Sequence, residues 1–169
     1  ANDGIISTAG VVMGVAGATN DSEAILIAGI AALTAGAISM AAGEYVSVST
    51  QRDSEKSMLA MESHELKQMP EVELAELTTM LREKGLSAET AATVATELTE
   101  HDALAAHAEI EFGIDPKALT NPWKAAWASM FSFTLGALLP LLTVAFVPAE
   151  ARIAVTVGAV ILALAGAGF

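Results

Sequence analysis

Four long apolar runs alternate with polar segments along this chain. They cover Gly4–Thr19, Ala24–Gln51, Ala125–Pro148 and Ile153–Phe169, and only the second contains a charged residue. Because about twenty apolar residues in a helix cross the hydrocarbon layer of a membrane, the second and third runs are long enough to span it. The first run is shorter and the fourth reaches the last residue, so we expect the natural protein to extend further at both ends.

The polar segment between the second and third runs has the pattern of three helices. The second run continues without Gly or Pro, which predicts a helix of about 70 Å over residues 23–68 that ends before Pro70. A helix over Glu71–Glu83 follows, with leucines at helical spacing on one face and a glycine after its end. Ser87 is the predicted N-cap of a third helix over Ala88–Phe112.

These patterns predict an all-α membrane protein, since no strand pattern and no strong internal repeat are present. The predicted fold is a transmembrane helix bundle with four spans in this chain and a three-helix domain inserted between spans 2 and 3. The predicted divisions are residues 1–51 for spans 1 and 2, 52–120 for the inserted domain, and 121–169 for spans 3 and 4. Trp123 and Trp127 are expected at the membrane interface, and Pro140 is expected to kink the third span.

Composition agrees with this division of the chain. Hydrophobic residues make up 53% of the 169, and the mean hydropathy is +0.53. The segment from Arg52 to Lys124 holds seven of the eight Lys and Arg residues and fifteen of the twenty Asp and Glu residues. A net charge of −12 argues against nucleic acid and favours cations as partners. Cysteine is absent, which excludes disulfides and thiolate metal sites.

The basic residues predict how the chain is oriented. Arg52, Lys56 and Lys124 flank the apolar runs on the side of the inserted domain, whereas the loop Asn20–Glu23 has no Lys or Arg and the loop after the third span has only Arg152. Positive residues concentrate in cytoplasmic loops, so the inserted domain is predicted to lie in the cytoplasm. Ala-rich composition and compact design favour a bacterial inner membrane as the location of this multi-pass protein.

Two carboxylates lie in or beside the apolar runs, where a charge near bilayer depth costs about 3 kcal/mol on insertion scales. Asp3 is at the head of the first run and Glu44 interrupts the second. Acidic residues at this depth face a partner helix, a cavity or an ion path, so the pattern indicates transport with a cation as cargo. Met40, four residues before Glu44, is either a soft metal ligand or an apolar packing residue.

Gly10 and Gly14 give the first helix a thin face, which suits close packing either within the chain or at a dimer seam.

Carboxylates also cluster in the inserted domain. Pairs three residues apart share a helix face, and a third helix adds an imidazole and two further carboxylates. The candidate metal ligands are Glu62, Glu65, Glu73, Glu76, His107, Glu109 and Glu111. Oxygen-rich clusters with an occasional imidazole suit divalent ions such as Fe²⁺ and Mn²⁺. The alternative is that each pair is only part of a solvated helix face.

Together these motifs resemble the vacuolar iron transporter (VIT) family over nearly the whole chain. The matching segments are Ala1–Thr8, Ser39–Val48 with Gln51–Asp53, Asn121–Ala126, and Ser132–Leu142. The resemblance implies a protomer with five transmembrane helices, of which the fifth is absent from this sequence. It also implies a homodimer with a pore between the subunits and a cytoplasmic metal-binding domain of three helices.

The resemblance further implies export of Fe²⁺, sometimes Mn²⁺, from the cytoplasm in exchange for protons. Carried onto this sequence, the pore residues are Asp3 and Met40 with Glu44 nearby, and the cytoplasmic ligands are Glu62, Glu65, Glu73, Glu76 and Glu111. The family pattern has a Met pair shortly before the last ligand glutamate. In this sequence His107 and Ala108 occupy the positions of that Met pair, which makes His107 a candidate substitute ligand.

The sequence therefore predicts a proton-coupled divalent metal transporter and not an enzyme. Its expected partners are metal ions, protons, the lipid bilayer and a second copy of the chain, with no organic cofactor. The sequence does not rank Fe²⁺ against Mn²⁺, Co²⁺ or Zn²⁺. Two alternatives remain at this point, namely a membrane-anchored iron-binding or iron-oxidising protein and a membrane scaffold. Ferritin-like sites need Glu-x-x-His, and none of the three histidines has a Glu three residues before it.

Overall fold

The computed structural model describes residues 1–167, which form six α-helices and no β-strand. In chain order they are α1 (Asn2–Ala16), α2 (Ser22–Gln68), α3 (Pro70–Glu83), α4 (Ala88–Glu111), α5 (Pro122–Phe146) and α6 (Ala149–Ala167). The predicted all-α fold class is confirmed. The chain divides into two compact units. The apolar unit is Ala1–Ser47 with the chain from Pro122 onward, and the acidic unit is Val48–Asn121.

Three of the described helices, α2, α5 and α6, are long and apolar enough to cross a membrane. Their apolar side chains face outward in this unit, as Ile27, Leu135 and Leu162 show with exposures of 60, 68 and 75%. Outward-facing apolar surface is typical of helices whose solvent is lipid. Helix α1 has 15 residues and is not among these three, so the predicted count of four spans is not confirmed.

Close backbone packing holds α1 against α5 in the apolar unit. A Cβ added to Gly136 would collide with the Ala1 carbonyl oxygen, and one added to Gly4 would collide with that of Phe133. Small residues permit this approach because they remove the side chain between two helix backbones. The buried ring of Phe133 also covers Gly36 of α2, so this residue of α5 contacts α1 through its backbone and α2 through its side chain.

Polar side chains join α6 to the rest of the apolar unit. Thr143 Oγ1 of α5 and Thr156 Oγ1 of α6 lie 2.6 Å apart in a buried hydrogen bond. Arg152, which is 6% exposed, donates from Nη2 to Ser22 Oγ at the start of α2 over 2.6 Å. The sequence indicated only a loop charge at Arg152, whereas the structure buries this residue as a link between helices.

The acidic unit has its own apolar core between α3 and α4. Leu77 and Leu81 pack with Ala91, Ala95 and Ala106, as the leucine spacing predicted. Ser87 caps α4 by accepting a hydrogen bond from the Thr90 amide over 3.2 Å, and Gly85 in the preceding turn has a φ of 103°. The helices α2, α3 and α4 agree with their predicted bounds to within one residue at each end.

Candidate metal centre

Three helices of the acidic unit bring their carboxylates and one imidazole together. Glu62 comes from α2, Glu73 from the first turn of α3, and His107 and Glu111 from the second half of α4. His107 Nδ1 lies 3.0 Å from Glu62 Oε1 and 3.9 Å from both Glu73 Oε2 and Glu111 Oε2. The structure thus brings together four of the seven residues that the sequence predicted as candidate ligands.

Local sequence explains why these side chains meet. The chain leaves α2 at Met69, whose φ of −136° and ψ of 50° are not helical, and Pro70 then starts α3. Proline suits the first turn of a helix because its missing N–H is not needed there. Glu62 lies about two turns before this break and Glu73 one turn after it, so both carboxylates approach the same point from successive helices.

The centre is buried and its polar atoms are not satisfied by the protein. Exposure is 2% for Glu62, 4% for Glu73 and 0% for His107. Among the described residues, Glu62 Oε1 and both ring nitrogens of His107 have no hydrogen-bond partner, although Nδ1 and Oε1 are only 3.0 Å apart. A buried polar atom left unpaired costs about 1–3 kcal/mol, so such a cluster favours a ligand that pairs with all of them.

The spacing and chemistry of these atoms fit a divalent cation. One ligand atom from each of Glu62, Glu73 and His107 lies within 4.8 Å of the other two. Two atoms that share an ion through bonds of about 2.0–2.6 Å lie no more than roughly 4–5 Å apart. Two carboxylates and an imidazole are a donor set that borderline ions such as Fe²⁺ and Mn²⁺ accept.

Electrostatics at the centre favour either a proton or a cation. Burial, followed by the charges of Glu73, Glu65 and Glu76, raises the pKa of Glu62 above its ordinary value. Burial and the charges of Glu62 and Glu76 also raise the pKa of Glu111, while the nearby His107 opposes that rise. A bound cation would stabilise the ionised carboxylates and reverse these shifts, so metal and proton compete for the same oxygens.

The remaining candidates of the acidic unit take different positions. Glu65 is half-buried and Glu76 is exposed, and both raise the pKa of Glu62 through their charges. Glu109 is exposed beside a surface cleft that Gly113 and Lys117 also line. These three lie outside the group whose ligand atoms converge, and their predicted role as ligands stays a prediction.

The pore candidates lie on the surface of the apolar unit. Asp3 is exposed in the first turn of α1, and its Oδ1 accepts a hydrogen bond from Ser7 Oγ over 2.9 Å. Met40 is 37% exposed and Glu44 is half-buried, both on α2. Their assignment to a pore between two protomers stays a prediction.

The sequence did not predict the backbone conformation of Asp102. Asp102 has a φ of −161° and a ψ of 86°, so it divides α4 into two helical segments that the sequence predicted as one helix. A signal was present, because Asp102 lies seven residues after the fully buried Ala95 and would share its face in a continuous helix. A carboxylate at an apolar-face position is a sign of a helix break.

Comparison with known proteins identifies the family of this chain. The model of the VIT family matches residues 1–169. The chain is 42% identical to a vacuolar iron transporter of Acanthamoeba castellanii, over 99% of this chain and 62% of that protein. It is 37% identical to VIT-like transporter 1b of Glycine max, over 97% of this chain and 55% of that protein. Vacuolar iron transporter homolog 2 of Oryza sativa subsp. japonica is 32% identical, over 99% of this chain and 67% of that protein. The chain spans 55–67% of the length of these three relatives, and it belongs to the VIT family, as its motifs predicted.

Proposed function

We propose that this chain forms part of a divalent metal transporter that exports Fe²⁺, and also Mn²⁺, from the cytoplasm in exchange for protons. The observation that carries the proposal is the buried trio of Glu62, Glu73 and His107, whose convergent atoms are a ready site for a divalent cation. Relatives that bear the name vacuolar iron transporter support Fe²⁺ as the cargo. Because the VIT family is a family of transporters, the chain is not an enzyme.

The proposed topology puts the acidic unit in the cytoplasm. The basic residues Arg52 and Lys124 flank the apolar segments on that side, and the positive-inside rule supports this orientation. In this arrangement α1, α2, α5 and α6 all cross the membrane, and a fifth span completes the protomer. The bacterial inner membrane stays a prediction, since the relatives compared above come from an amoeba and from plants.

The exposed face of α1 supports a homodimer as part of the proposal. Asp3, Ser7, Gly10 and Gly14 lie on that face and are all exposed. A Cβ added to Gly10 or Gly14 would meet no described atom within 4 Å, so packing inside this protomer does not explain these glycines. Small residues on an open helix face suit close approach of a second helix, which supports a seam where two copies of α1 place their Asp3 side chains together.

In this mechanism the chain's carboxylates alternate between metal and proton. The acidic unit concentrates cations by its charge, and Glu62, Glu73 and His107 bind one of them. Asp3, with Met40 and Glu44 nearby, then accepts the cation on its way across the membrane. A carboxylate that releases the metal takes up a proton, because it is not stable as a bare charge at low dielectric.

Transport into liposomes tests the proposal. With an imposed pH gradient, we expect the natural protein to move Fe²⁺ and Mn²⁺ against an opposite flow of protons. Asp3→Ala should lower metal flux to the level of protein-free liposomes, because the mutant lacks the carboxylate that replaces part of the ion's hydration shell. Glu150→Ala, which removes an exposed carboxylate at the start of α6, serves as the matched control and should transport normally. Normal flux by Asp3→Ala would rule out its role in the pore.

A further inference from the structure

The second half of α4 is a separate short helix. Asp102 is extended, and the nine residues from 103 to 111 form a segment with its own start. In a regular helix each residue turns the next by about 100°, so the direction of any side chain depends on where the helix begins. His107 and Glu111, which belong to the metal centre, both lie on this segment.

Asp102 is the N-cap of this segment. Its Oδ1 accepts a hydrogen bond from the Ala105 amide over 3.1 Å, three residues further along the chain. A carboxylate acceptor at this position satisfies an amide that the first turn would otherwise leave unpaired. The hydrogen bond from Ala105 also lowers the pKa of Asp102, so the carboxylate is ionised at neutral pH.

The other end of the segment is also tied. Ile114 donates its amide to the Ala108 carbonyl over 2.8 Å, and Gly113 provides the positive φ of 67° that this turn requires. From the loop that follows, Lys117 Nζ reaches Asp102 Oδ2 over 3.4 Å. This ion pair is exposed and therefore screened by water, so the cap and not the ion pair sets where the segment begins.

We propose that Asp102 is a positioning residue of the metal centre, which starts the segment 103–111 and thereby turns the His107 imidazole toward Glu62 and Glu73. The inference rests on the metal-binding role proposed above for these three residues. If Asp102 were helical, α4 would continue in one direction through position 107, and the imidazole would leave the point where the two carboxylates meet.

The test uses Mn²⁺ bound to the whole chain in detergent. Calorimetry gives the affinity, and pulsed electron paramagnetic resonance of the bound Mn²⁺ detects a directly coordinated nitrogen, which reports imidazole ligation. The variants are Asp102→Ala, which removes the cap, Asp102→Asn, which keeps an acceptor of similar capping strength, and Lys117→Met, which removes only the ion pair. Glu100→Ala removes an exposed carboxylate from the same helix as the matched control.

We expect Asp102→Ala to weaken Mn²⁺ binding about tenfold, the scale seen when groups that orient ligands are lost, and to abolish the nitrogen signal. Asp102→Asn, Lys117→Met and Glu100→Ala should keep both affinity and signal. A residue needed only for folding would change the unfolding curve and leave the nitrogen signal of the folded fraction intact.

Each other outcome has a defined meaning. A full nitrogen signal in folded Asp102→Ala overturns the positioning role while the metal centre stands. Absence of Mn²⁺ binding, or of a nitrogen signal, in the unmodified protein overturns the metal centre and the positioning role together. If Asp102→Ala does not fold, Asp102→Asn decides, since loss of the signal despite a retained capping acceptor contradicts the proposal and its retention supports it.

Discussion

The fold holds the Glu62 carboxylate, beside His107, in an environment that disfavours its ionised form. The carboxylate is almost wholly buried beside Glu73, and its Oε1 lies 3.0 Å from His107 Nδ1 without a hydrogen bond. Like charges at short range and low solvation both disfavour the ionised form. The metal-free protein therefore carries a local destabilisation that a proton or a divalent cation removes.

Replacing Glu62 by Gln should stabilise the metal-free protein at neutral pH. The folded state raises the pKa of Glu62, so the stability that its proton contributes is complete below the ordinary value of 4.5 and is lost as pH rises through the raised value. Gln cannot ionise and avoids that loss. In the presence of a chelator we expect a higher melting temperature for Glu62→Gln than for the unmodified protein, with the difference vanishing in acid.

The exposed Glu97 provides the control, because Glu97→Gln should leave the melting temperature unchanged across the same pH range. Added Mn²⁺ should reverse the order, since the variant has lost a ligand and gains less from the ion. A lower melting temperature for Glu62→Gln in chelator at neutral pH would show that its carboxylate is satisfied by the protein.

At this scale the sequence predicted the candidates but not the selection among them. Spacing of three residues puts Glu62 with Glu65, and Glu73 with Glu76, on shared helix faces. The side chain that turns inward from each pair depends on how three helices pack, which involves residues far apart in the chain. His107 was a candidate because it lies four residues before Glu111 on one helix and because it occupies a position where the family pattern has a methionine pair.

The contact between α1 and α5 shows how an element depends on the absence of side chains. Gly136 and Gly4 remove the atoms that would separate the two backbones, and Ala137 next to them is fully buried. Dispersion between closely packed backbones is a main source of stability for helices in lipid. A methyl group at this contact must push the helices apart.

Gly136→Ala should therefore destabilise the protein by about 1–3 kcal/mol, the usual cost of overpacking. Gly158→Ala is the matched control in α6, where an added Cβ meets no described atom within 4 Å. It should be neutral, or stabilising by up to about 1 kcal/mol through helix propensity. Unfolding in detergent followed by circular dichroism measures both, and equal stability of the two variants would show that the close approach adds nothing.

The elements were the most predictable level of this molecule. Ser87 with Thr90, the leucine spacing and the proline at position 70 all signal helix ends or faces through local chemistry, and the structure has them as predicted. The break at Asp102 was not predicted, because Ala-rich sequence on both sides favours a continuous helix. Its contact with Lys117 spans 15 residues, so no short stretch of sequence could indicate it.

Across the whole molecule, the open face of α1 suggests that assembly is part of function. Two exposed glycines and one exposed carboxylate share this face, and a Cβ added at either glycine would meet no described atom within 4 Å. The family was predictable from motifs spread along the chain. The number of membrane spans was harder to predict, because α1 has only 15 helical residues.

Gly10→Leu should weaken the proposed homodimer without unfolding the protomer. A Cβ at position 10 meets no described atom within 4 Å in the same copy, whereas a leucine side chain there would hold two α1 helices apart at the seam. Light scattering coupled to size-exclusion chromatography should show a shift toward monomer in detergent. Gly158→Leu, also made at an open position, should keep the assembly of the unmodified protein, and a dimeric Gly10→Leu would remove the seam from α1.

The unpaired atoms of Glu62 and His107 also bear on how this protein survives in the cell. We expect three helices that meet around an uncompensated charge to open more readily than the leucine core beside them. The turn at Met69, which is 46% exposed, would then be open to a protease when the centre binds no cation. If the proposed transport function holds, the supply of the transported cation would in this way set the lifetime of its transporter.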